Sequence, residues 1–196
     1  MASVVHGAGG PAGGGAAPVN DLSHVIEADL RALSFEARAG QPAVKDAAER
    51  AILRLRALKP QFAAGRPVAS AEFLRPFLLA CNDVRAPKKI LFMALQSVHR
   101  LLMMRLVDPA EPQQVVRVLE IQAANPDEGV ALKVLQTLPL LLCNPEFVLN
   151  ATLIAHIVAL CLQLYNHKSP TLHHTAEATL RQVVSLAFDR VHDEEE

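Results

Sequence analysis

Tryptophan is absent from this 196-residue chain, tyrosine occurs once, and aromatic residues make up only 4% of it. Without interleaved rings there is no platform on which nucleic-acid bases could stack. Neither charge sign dominates: 19 Lys and Arg stand against 20 Asp and Glu, for a formal net charge of -1. No global positive field is therefore available to gather phosphate backbones, and nucleic acid is not an expected partner. Cysteine is scarce and odd in number, with Cys81, Cys143 and Cys161 and no C-x-x-C spacing. That argues against a disulfide framework and for a reducing, cytosolic compartment. Each thiol sits in a leucine-rich stretch, so all three are expected to pack as small apolar groups rather than serve as nucleophiles. The first twenty residues lack the basic start and apolar run of a secretion signal. The most apolar segment, 151–165, is shorter than the roughly 20 residues needed to cross a bilayer.

Glycine is nearly missing from the body of the chain. Six of the nine glycines fall between Gly7 and Gly15, interleaved with Ala and Pro, too little side chain to offset the entropy of ordering. Residues 1–20 are expected to be a disordered tail. From residue 21 to 192, apolar residues recur at three and four rather than at two, and no alternating run demands a strand. The body is read as an all-α domain of about eight helices. Leu22, Ile26, Leu30 and Leu33 mark the first, ended by Gly40. Val44, Ala48, Ala51, Leu55 and Leu58 mark a second, opened by Pro42 and closed by Pro60. A third is expected from a Ser70 cap to Cys81, with Pro76 as a kink. Ile90, Leu91, Ala94, Leu95, Val98, Leu101 and Leu102 form two rows on a fourth. Val115, Val118, Leu119 and Ile121 define a fifth, and Val130, Val134, Leu138 and Leu141 a sixth that Pro139 could bend. A seventh covers 150–165. The last, from Ser169 and Pro170, carries Leu172, Ala176, Leu180, Val183, Val184, Ala187, Phe188 and Val191, before an acidic, solvated end at 193–196. Units of about 40 to 50 residues favour an armadillo- or HEAT-like solenoid of helix pairs over a bundle. The chain is expected to be one domain of a larger protein.

Chemistry finds little support. The glycine-rich start holds neither G-x-x-x-x-G-K-[ST] nor G-x-G-x-x-G between a strand and a helix, so no phosphate cradle and no cofactor is expected. His167, His173 and His174 lie close together without H-E-x-x-H or a cysteine partner, which argues against a metal site. His99 and His156 are expected to be partly buried and hydrogen-bonded. No G-x-S-x-G occurs, and the carboxylates mostly alternate with bases at helical spacing, as in Asp46, Glu49, Arg50 and Arg54. The chain is not expected to be an enzyme. One asymmetry remains: Arg85, Lys88, Lys89, Arg100 and Arg105 cluster around the fourth helix. They read either as solvated helix ends or as a docking patch for an acidic partner or an anionic membrane.

Three colinear stretches carry a resemblance: DLRALSFEAR at 29–38 followed by PAVKDAAERAILRLRALK at 42–59, LKVLQTLPLLL at 132–142, and TAEATLRQVVSLAFDRV at 175–191. Together they resemble the amino-terminal DCB (dimerisation and cyclophilin-binding) domain of the large Arf guanine-nucleotide exchange factors. The nearest likeness is to the branch of that family that acts as a Golgi and endosome trafficking scaffold without the catalytic exchange domain. The resemblance implies a helical solenoid working in recruitment and self-association on the cytosolic face of the trans-Golgi network and endosomes. Its implied partners are an Arf-like small GTPase, a Dopey-type protein and a lipid flippase. An alternative within the family is an autoregulatory arm of a catalytic exchange factor. Arg31, Arg181 and Gln182 are the polar matches that packing explains least, and they either hold helix ends or border a protein-binding surface. The departures are the Gly-Ala start, Pro139 and the stretch 61–70.

Overall fold

The computed structural model describes residues 19–195 apart from 65 and 67, with side chains described between 22 and 190. The tail expected at 1–20 thus lies outside what is described apart from 19 and 20, and of the acidic end expected at 193–196 the backbone of 193–195 continues α8 while 196 lies outside. Among the described residues there are eight helices and no strand: α1 (Val19–Ala37), α2 (Pro42–Ala63), α3 (Ala71–Asn82), α4 (Lys88–Met103), α5 (Pro112–Ala123), α6 (Glu128–Cys143), α7 (Ala151–Tyr165) and α8 (Pro170–Glu195).

The helices stack as a solenoid of two rows. One row runs α1, α4, α6, α8, each packed on the next; the other runs α2, α3, α5, α7. The pairs α1/α2, α3/α4, α5/α6 and α7/α8 form four layers. In the first pair the chain enters through the α1 row and leaves through the α2 row. In the other three it enters through the α2 row. The order inverts between α2 and α3, which are consecutive in sequence yet neighbours in the same row. Between the rows lies one continuous apolar interior, to which Leu30, Leu55, Leu74, Leu95, Leu119, Leu135, Leu138 and Cys161 contribute fully buried side chains. Burying a leucine removes about 1.5–3 kcal/mol of unfavourable hydration. Most of the stripe residues read from the sequence supply it, whereas Val184 and Phe188 of α8 do not.

Local signals set most of the boundaries. Pro42 and Pro112 occupy first-turn positions, where a missing N–H costs nothing. Asp127 and Asn150 cap α6 and α7 by accepting from the Val130 and Leu153 amides at 3.1 and 2.8 Å. Two expectations fail. Pro60 does not end α2, which continues to Ala63 because Phe62 is buried against Phe73, ring centres 6.3 Å apart, and that contact holds the last turn. Ser70 does not cap α3 through its side chain. Its hydroxyl accepts from the Asp108 amide at 2.8 Å while Asp108 Oδ2 accepts from the Ser70 amide at 2.8 Å, a reciprocal bridge between the α2–α3 and α4–α5 connections. α3 and α6 pass through the buried Pro76 and Pro139 without breaking.

Long polar side chains satisfy backbone groups where layers meet. Gln122, wholly buried on α5, donates to the Cys81 carbonyl at the end of α3 at 2.7 Å. Arg190 on α8 donates to the carbonyls of Leu142 at 3.0 Å and Phe147 at 2.9 Å, and to that of Asn144. One guanidinium thus serves the open carbonyl end of α6 and the loop that carries the buried Phe147. Removing it strands three acceptors, so Arg190→Met is expected to lose about 2–3 kcal/mol in denaturant unfolding. Lysine, a single-point donor, should restore less than half of it.

Candidate protein-binding surfaces

Among the described residues no three His, Cys, Asp or Glu side chains converge as metal ligands, and no helix is long and apolar enough to cross a membrane. His173 contacts the Tyr165 carbonyl through Nδ1 at 2.8 Å and packs on the Tyr165 ring, while His167 Nδ1 accepts from the Ser169 amide at 3.1 Å. These are local turn contacts. His99 is half-buried against Thr137 at 3.2 Å, and burial together with the charge of Lys133 lowers its pKa. His156, by contrast, is exposed, on the rim of a shallow depression between α5 and α7. Cys81 and Cys161 are buried, and desolvation raises their thiol pKa to about 12. Cys143 departs from expectation: as the last residue of α6, beyond the buried pair Leu141 and Leu142, it faces outward and is exposed.

Of the basic residues singled out from the sequence, Lys88, Lys89 and Arg100 tie helices of the solenoid together. Arg100 Nη1 sits 2.9 Å from both carboxylate oxygens of Asp29, and Lys89 Nζ lies 2.6 Å from Glu36; both tie α4 to α1. Lys88 Nζ reaches the α6 cap Asp127 at 2.6 Å. Its hydrogen bond is the main cause of that carboxyl's lowered pKa. Arg31 pairs with Glu27 at 2.7 Å and Arg181 with Glu177 at 2.5 Å, each one turn back on its own helix. Gln182 is exposed on α8, Arg105 is exposed with φ of 54° just after α4, and Arg85 is exposed in the α3–α4 connection. Three of the five residues of the fourth-helix cluster are therefore taken up in interlayer ion pairs.

Glu27 was not foreseen. It is 6% exposed, set between α1 and α2, and receives Arg31 at 2.7 Å, Arg56 at 2.9 Å and Lys59 at 3.3 Å. Burial alone would push its carboxyl up, but hydrogen bonds from Arg56, Arg31 and Lys59 outweigh it and bring the pKa down to about 2. Because the folded value lies below the ordinary one, folding favours the ionised form. That stability is present above about pH 4.5 and is lost as pH falls toward 2. Glu27→Gln should lower stability at neutral pH by about 2 kcal/mol. It should also flatten the acid limb over that window, read by urea unfolding at stepped pH.

The surface least compatible with water is at the far end of the stack. Between α7 and α8, Ala151, Ile154, Ala155, Val158, Val184, Ala187 and Phe188 line an open groove of about 300 Å³. Phe188 is 71% exposed and Val184 37%, although both were expected in the core stripe of α8. Leu172, Ala176 and Val183 do face inward; no layer follows within the described residues to cover the adjoining flank.

The helices thus define a two-row, four-layer all-α solenoid whose α7/α8 end carries an apolar groove. The family described as DCB: Mon2/Sec7/BIG1-like, dimerisation and cyclophilin-binding domain matches residues 17–195, and the chain belongs to it. It is 32% identical over 181 residues to the protein MON2 homolog of Homo sapiens, covering 91% of this chain and 10% of that protein. To the Drosophila melanogaster MON2 homolog it is 33% identical over 187 residues, covering 95% and 11%. To protein MON2 of Saccharomyces cerevisiae it is 25% identical over 174 residues, covering 88% and 10%. The chain thus spans about a tenth of the length of these relatives.

Proposed function

We propose that this chain is a non-enzymatic regulatory domain of a Golgi and endosome trafficking scaffold, binding protein partners and a second copy of itself. Membership of a family named for dimerisation carries the reading. The Mon2 name shared by the relatives reported above favours the scaffold branch over the autoregulatory arm of an exchange factor. The α7/α8 end is the self-association face. Phe188 projects from the same surface that holds the groove, so a two-fold arrangement lets each ring enter the other copy's groove, a self-complementary contact. A stable interface buries roughly 1,200–2,000 Å² in total, so the whole terminal layer takes part. Light scattering between about 1 and 200 µM should show mass rising with concentration, and Phe188→Asp should return it to 21.2 kDa. A constant monomer mass would remove this part of the reading.

An Arf-like small GTPase, a Dopey-type protein and a flippase are the proposed heterologous partners, on the cytosolic face of the trans-Golgi network and endosomes. Among the residues proposed as contacts, Arg85 and Gln182 are exposed and enter none of the ion pairs described above, while Arg31, Lys88, Lys89, Arg100 and Arg181 are shared with interlayer or local ion pairs. The same sharing weakens anionic membrane contact through 85–105. A GTPase would dock only with its switch segments in the triphosphate form. Pull-down with GTP-locked and GDP-locked protein is expected to retain the first alone; equal or absent retention counts against a GTPase effector role.

A further inference from the structure

The order inversion sets α2 and α3 side by side in one row, and between them runs a second groove, of about 520 Å³. Its lining is unlike the first. Ala47, Ala51, Ala71 and Pro76 give a low floor, and Arg50, Arg54 and Arg75 stand along it. All three arginines are exposed. Glu72 is the one acidic residue of the lining, 3.9 Å from Arg54 across two half-exposed or more exposed side chains, a weak pair. Arg50 and Arg75 have no acidic partner among the described residues. One carboxylate in the lining thus stands against three arginines, and it pairs with Arg54 alone, whereas the basic residues of α4 are individually matched.

The geometry points to this groove as the docking site for an acidic peptide segment of a protein partner. An alanine floor lets a backbone approach closely, and guanidinium groups on both sides offer forked donors to successive carboxylates. A bilayer is a poorer fit. A flat anionic surface would also meet the exposed carboxylates Asp46, Glu49 and Glu120 on the helices of this row, none of which lines the groove. The inference does not rest on self-association or on the trafficking reading, since the groove is on the α2 row and the Phe188 face at the far end.

Fluorescence anisotropy of a labelled twelve-residue Glu- and Asp-rich peptide tests it, with a Gln-substituted peptide as the neutral control. The acidic peptide should bind, and binding should weaken as salt rises. The pair Arg50→Glu with Arg75→Glu should weaken it at least tenfold, and Arg117→Glu with Lys168→Glu, exposed bases outside the groove, less than twofold, each variant checked for an unchanged helical spectrum. Binding of the acidic and neutral peptides alike, or acidic binding insensitive to the Arg50/Arg75 pair, would overturn the assignment. So would flotation on 30% phosphatidylserine vesicles that depends on Arg50 and Arg75 without any peptide binding.

Discussion

The interior between the two helix rows is the constraint on which everything else depends. None of these helices can bury its apolar stripe alone; each is covered by its partner in the layer and by the next helix in its row. α3 and α6, packed on neighbours in both directions, present buried side chains on most of their circumference, including Pro76 and Pro139. A proline inside a helix removes one backbone bond, and it is tolerated where tertiary packing supplies far more than that bond was worth. At the outer layers the same logic runs in reverse, and α8 keeps part of its stripe in water.

Polar groups in this fold mostly register layers. Asp29 with Arg100, Glu36 with Lys89 and Asp127 with Lys88 link successive helices of one row, and Glu27 joins α1 to α2 through Arg56 and Lys59. Exposed ion pairs contribute little stability each. Their value is positional: apolar ridges could slide by a turn, and a carboxylate matched to a particular base opposes the slip. Gln122 and Arg190 act similarly on backbone, each finding carbonyls more than 40 positions away in sequence.

Helix starts and stripes were legible because they are local: Pro42 and Pro170 announce themselves, and Leu91, Leu95, Val98 and Leu102 repeat at helical spacing. What escaped was set by contacts across layers. Pro60 looked like a stop because nothing nearby reveals that Phe62 finds Phe73. Ser70 looked like a cap because Asp108 is distant in sequence. Phe188 and Val184 belonged to the right periodicity, but periodicity does not tell whether a neighbouring layer exists to cover it. Lys88, Lys89 and Arg100 looked like a patch because their carboxylates sit on other helices. The α2/α3 groove needed the row inversion at 64–70, which no local pattern encodes.

A stack of this kind is held from both sides in its middle and from one side at its ends. α3 to α6 have neighbours above and below, whereas among the described residues the α7/α8 layer rests on α5 and α6 alone and leaves Phe188 exposed. Opening should therefore begin as fraying at that end, the layer peeling before the centre loosens. Whatever seats on Phe188 supplies the missing neighbour, so occupancy would stiffen the far end and lengthen the ordered rod by the depth of one more course.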